Sequence, residues 1–149
     1  MENSKKTNLV NNLLTTSVGT GMGILGLGIP DIPIFVATLL RGVYQTALNY
    51  GFEYKSREEK IYILRLIRTA LTKTSDQKKI FNAELDSENY DGATVDKEIN
   101  LTAETLSNTL LIEKFIQGIP VIGVVGGVIN NSIYKKVSSF SMIKYKKRY

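Results

Sequence analysis

The chain of 149 residues contains no cysteine. That excludes a disulfide framework and any thiolate metal site. It also contains no histidine, which removes the commonest general base and the commonest metal ligand. Serine and threonine are plentiful, but a Ser-His nucleophile pair cannot be built; a Ser-Lys arrangement stays open on sequence alone. The glycine run Gly19–Gly28 lacks the Gly-Lys-Ser/Thr ending of a phosphate loop, and no strand precedes it. No extended alternation of apolar and polar residues occurs, so strands are not expected. No catalytic residue, metal ligand or cofactor site emerges, and the expectation is a protein that is not an enzyme.

Charge of one sign is missing from the end of the chain. Residues 135–149 carry Lys135, Lys136, Lys144, Lys146, Lys147 and Arg148 and no acid. The net charge of +5 is therefore a property of this tail, the remainder being slightly acidic. Between Glu84 and Glu104 the sign reverses, with seven acids facing Lys97 alone. A tail that mixes cations with Phe140, Met142, Ile143, Tyr145 and Tyr149 suits an anionic lipid surface. The plainer reading is a solvated helix end, where cations complement the negative end of the dipole. Nucleic acid is not expected as a partner, because the rest of the chain is acidic.

What is present is dominated by two matching segments ninety positions apart. Gly28-Ile29-Pro30-Asp31-Ile32-Pro33 runs on to Tyr44, and Gly118-Ile119-Pro120-Val121-Ile122-Gly123 runs on to Tyr134. Each reads as a stop, a turn and the first residues of a new helix. The pair predicts two related helix starts packed centrally in one compact all-α domain, residues 1–149, of five to six helices. The first helix is expected over residues 8–26. The second starts near Pro33, with Asp31 or Ile32 as N-cap and Gly51 as C-terminal cap. The third is opened by the capping box Ser56-Arg57-Glu58-Glu59 and is expected to be an ordinary amphipathic helix. Its inner face holds Ile63, Leu64, Ile67, Ala70 and Leu71, with Arg57, Lys60, Arg65 and Arg68 mostly outside. A short helix comes next, from Asp76 to about Leu85, then a surface loop over residues 87–94. The fifth runs from Val95 to Gln117, apolar at Ile99, Leu106, Leu110, Leu111, Phe115 and Ile116. The sixth runs from Pro120 into the basic end.

Val18 to Leu40 is long enough to span a bilayer, but Pro30, Asp31 and Pro33 interrupt it, and Ile116–Ile129 is short. A buried soluble core and a broken hairpin entering the bilayer both fit. Gly19/Gly23 and Gly123/Gly127 place glycines on one helical face, where another backbone can approach closely. Asp31 reads as a helix cap or as a buried carboxylate for a cation, a lipid amine or a partner's arginine, with Arg41 and Tyr44 after it at helical spacing. The charged start Met1–Lys6 is succeeded by Thr7, Asn8, Asn11 and Asn12, which interrupt the compact apolar core that a signal peptide needs. The expected location is cytoplasmic, peripheral or partly inserted at the inner face of the cell membrane.

Several of these segments resemble the EcsC protein family. They are Gly26–Pro33, Leu39-Leu40-Arg41, Ala47–Phe52 with the capped Glu-rich helix start after it, and Ile119–Asn130 with its basic aromatic tail. The likeness extends roughly from Gly19 to Lys147, while Lys73–Leu101 departs from it. The family takes its name from a bacterial protein encoded beside an ABC transporter. The resemblance implies a non-enzymatic, membrane-associated helical protein that binds lipid or serves a transporter, and it supplies no catalytic residue. The competing expectation is a soluble interaction module, an adaptor or immunity protein with one protein partner.

Overall fold

The computed structural model describes residues 32–116 and 124–149. They form five helices: α1 (Ile32–Asn49), α2 (Arg57–Leu71), α3 (Ser75–Ser87), α4 (Val95–Ile116) and α5 (Val124–Arg148). There is no strand among the described residues, and the all-α expectation holds. The expected first helix, Gly19, Gly23, Gly28, Pro30, Asp31, Gly118, Pro120 and Gly123 lie outside the described residues. So does most of the apolar stretch Val18–Leu40. Ile32 is already helical, so Pro33 is the second residue of α1, exposed in the first turn, where its missing N–H costs nothing.

Helix α1 buries Phe35, Leu39, Val43 and Ala47, a four-residue repeat along one stripe. It ends in a Schellman motif. Gly51 takes φ +81°, and its N–H donates to the Leu48 carbonyl while that of Phe52 donates to Ala47 at 2.9 Å. Among the described residues, the glycine that permits close packing is Gly42, which the sequence did not single out. A Cβ there would meet the Tyr134 hydroxyl at 2.8 Å. The α1–α5 contact is thus made by an aromatic ring seated on a glycine.

Helix α2 departs most from expectation. It keeps an exposed polar edge at Arg57, Glu58 and Lys60, but it is central, packed against α3, α4 and α5, with eleven of its fifteen residues buried. Arg65 and Arg68, expected mostly outside, are among them. The reason lies on its neighbours. Along α4 the buried stripe is Glu98, Thr102, Leu106, Thr109 and Leu110, so Ile99 is left nearly half exposed. Glu98 meets the two arginines, and the Thr102 hydroxyl donates to the Leu64 carbonyl of α2 at 3.0 Å. Polar groups enter this core only where a partner satisfies them. Half of the capping box forms as expected, with Ser56 Oγ accepting from the Glu59 N–H at 3.1 Å. The Glu59 carboxylate, however, is engaged by α5.

Candidate functional site

Glu59 projects from the first turn of α2 to the far end of α5, where Arg148 stands in the last turn. Arg148 Nη1 lies 3.0 Å from both Glu59 oxygens. Its Nε and Nη2 grip Glu88 at 3.0 Å each, the parallel fork geometry that only a guanidinium offers. The guanidinium carbon sits 3.8 Å from the Tyr62 ring centroid and 4.2 Å from that of Phe52, close enough for cation–π attraction. Tyr145 is fully buried and donates its hydroxyl to Glu59. Glu88 reaches Arg148 from a left-handed backbone position, φ 48°, at the C-terminal cap of α3. This is a conformation that costs a non-glycine residue.

One helical turn away, Asp86 of α3 accepts from Lys144 at 2.5 Å and from Lys147 at 2.9 Å. Burial pushes the Asp86 carboxyl up, but the two lysines outweigh it and hold its pKa below the ordinary value. A second network lies between α2, α3 and α4. Glu98 takes Arg65 Nε at 3.0 Å and Arg68 Nη1 at 3.1 Å, while Glu84 meets the same arginines at 3.2 and 3.4 Å.

The tail cations therefore divide. Lys144 is buried in an ion pair, Arg148 is held between two carboxylates, and Lys147 is paired though largely exposed. Lys135, Lys136 and Lys146 lie exposed on the outward face of α5 with Asn131, Ser132, Ser139, Met142 and Ile143. Ile143 is 65% exposed and Met142 51%, and α5 contains no acid. Neutralising Lys144, Lys146, Lys147 and Arg148 together would thus strip the fold of internal ion pairs as well as its surface of charge. The six cations are not one surface feature. Glu59, Asp86 and Glu88 were not legible as their partners. The acidic stretch and the basic tail were both visible, but not that folding sets them against each other.

Of the remaining motif residues, Arg41 is exposed on α1. Tyr44 is half buried and stacks on Tyr54 with centroids 4.5 Å apart. Gly127 lies within α5. The structure does not bring Arg41 to the ionic cluster. Among the described residues no group of acids could hold a metal ion, and no helix is long and apolar enough to cross a membrane.

The tyrosines around Arg148 predict an alkaline signature. Burial raises the pKa of Tyr62 and pushes Tyr90 up to about 12. Burial and the bond to Glu59 raise Tyr145. Phenols raised in the folded state contribute stability fully below about pH 10, which is lost as pH rises and the unfolded chain ionises first. A phenolate absorbance titration should show a delayed group of tyrosines that ionises together with loss of the helical circular dichroism. Ionisation of all eight tyrosines near their ordinary pKa, with helicity unchanged, would contradict this packing.

A model of the EcsC protein family matches residues 2–149. Protein EcsC of Bacillus subtilis (strain 168) is 25% identical over 114 residues, covering 76% of this chain and 47% of that protein. The chain thus spans about half the length of the curated relative it matches. No solved structure matches. The family-model match over nearly the whole sequence, together with the all-helical architecture, establishes that this chain belongs to the EcsC protein family.

Proposed function

We propose that this chain is a non-enzymatic, peripheral membrane-associated protein that meets anionic lipid through the outward face of α5. The observation that carries this reading is the composition of that face. Lys135, Lys136 and Lys146 flank exposed Met142 and Ile143, and no acid interrupts them. Each lysine near an anionic leaflet contributes about 1 kcal/mol. Each apolar side chain adds up to about 1.5–3 kcal/mol if fully buried. The resulting association is weak, reversible and salt-dependent, and it suits an accessory role at a membrane.

Vesicle co-sedimentation tests this. The protein should bind vesicles containing phosphatidylglycerol and not those of phosphatidylcholine alone. Binding should fall with salt as screening shortens to about 8 Å at physiological ionic strength. The Lys135→Glu/Lys136→Glu/Lys146→Glu variant and the Met142→Ser/Ile143→Ser variant should each lose most of it while keeping the helical circular dichroism. No binding at any salt would overturn the reading. A stoichiometric protein captured without lipid dependence would then favour the interaction-module alternative. Binding that resists salt and yields only to detergent would instead indicate insertion through the Gly-Ile-Pro segments.

A further inference from the structure

We propose, resting on that membrane reading, that Asp86 and Glu88 act as an internal substitute for anionic lipid headgroups. They hold Lys147 and the outer side of Arg148 within the molecule and so lower its affinity for the bilayer. Position supports this. Lys147 lies four residues after Ile143 and eleven after Lys136, so all three share one strip of α5. Lys147 borders the proposed contact face, and its side chain is 65% exposed although paired.

Strength supports it as well. The cluster has an inner and an outer layer. The inner layer is Glu59 with Arg148 Nη1 and the Tyr145 hydroxyl, and the Glu59 side chain is only 7% exposed. An ion pair so buried is not given up to a surface ligand, because separating it leaves an uncompensated charge. The outer layer faces water, the side chains of Asp86 and Glu88 being 28% and 44% exposed. Ion pairs open to solvent gain little, an amount of the same order as a lysine gains at an anionic lipid surface. A phosphate oxygen can therefore replace the Asp86 carboxylate on Lys147 at nearly no net cost, while the inner layer keeps the end of α5 docked. Other charged or titratable groups around this layer include Lys144 on α5, Tyr62 and Arg65 on α2, and Tyr90 in the loop after α3. Lys144 keeps its own contact to Asp86 Oδ1. The exchange thus concerns Lys147 first and the Glu88 side of Arg148 second.

The test is a set of vesicle titrations with the full chain on phosphatidylglycerol–phosphatidylcholine vesicles. Asp86→Asn keeps an oxygen for Lys144 and releases Lys147, and it should tighten binding about fivefold, the equivalent of one lysine at the surface. In a Lys147→Gln background the same substitution should give no gain, because the released cation is absent. Asp91→Asn, which removes an exposed acid of the loop after α3, should not reproduce the gain. Glu88→Gln is the second variant should Asp86→Asn fail to fold, and it should raise affinity in the same direction. Equal gains from Asp86→Asn with and without Lys147, or from Asp91→Asn, would reduce the effect to overall charge and overturn the proposal. So would unchanged binding by Asp86→Asn and Glu88→Gln. If the Lys135→Glu/Lys136→Glu/Lys146→Glu variant still loses binding in that case, the membrane reading stands without the internal substitute. If the unmodified protein binds no vesicle, both fall.

Discussion

Arg148→Ala is expected to lower stability by about 3–5 kcal/mol, the cost typical of breaking a buried ion pair from one side. The size comes from the groups that the truncation leaves behind. Glu59 would keep its place at the start of α2, nearly inaccessible to water, with the Tyr145 hydroxyl still bonded to its carboxylate. The facing rings of Phe52 and Tyr62 would lose the cation they enclose. For a chain of this length the melting temperature should drop by about 2–4 °C per kcal/mol. Arg148→Lys should recover little, because an ammonium cannot bind two carboxylates in fork geometry while lying flat against an aromatic face. The paired change Glu59→Leu with Arg148→Met should recover much of the loss, since apolar residues of similar volume can replace a buried ion pair. Urea unfolding midpoints of the four proteins decide the matter. A loss below about 1 kcal/mol for Arg148→Ala would mean that the end of α5 frays in solution and that the pair is worth no more than a surface one.

The second large effect is expected at Glu98. It is 3% exposed and neutralises two arginines that are themselves buried. Glu98→Ala should cost about 3 kcal/mol. Two features keep it below the upper end of the range. Glu84 meets both arginines from α3, and Arg65 also donates to the Asn89 carbonyl at 2.7 Å. The network is not perfectly satisfied even when intact. Arg68 Nε is buried without a hydrogen-bond partner, and Glu98 Oε2 is held by charge proximity to Arg68 rather than by an aligned hydrogen bond. A half-satisfied polar network costs more than a complete one. Glu98→Gln, which preserves shape and one acceptor, should therefore fall between the native protein and Glu98→Ala in urea. If both variants unfold at the native midpoint, water reaches the arginines and α4 does not seal them.

The local signals in the sequence were physical ones, and several correspond to what is seen. Gly51 in its left-handed turn and Ser56 accepting from Glu59 depend on residues a few positions apart. Backbone sterics and short-range hydrogen bonds decide such features before any tertiary contact forms. The bounds of α3 and the start of α4 were close for the same reason. The loop between them was legible from Asn89-Tyr90-Asp91-Gly92, although Tyr90 turns inward to pack on the core.

Residue order alone was enough to establish a helical chain without histidine or cysteine chemistry, its charge segregated into an acidic middle and a basic end. It also carried the family resemblance. The use to which that charge is put emerged with the packing of the helices. Arg65 and Arg68 read as solvent-facing because helical periodicity locates a face without saying how many neighbours cover it. Glu59 read as a capping residue because its partner lies eighty-nine positions away. Lys144, Lys147 and Arg148 of the tail are held by internal ion pairs, because α2, α3 and α5 bring Glu59, Asp86 and Glu88 to the one end of the bundle where α5 finishes. Opposite charges far apart in a chain carry no mutual address. Their pairing is a consequence of helix packing, and packing is settled by the apolar stripes between them.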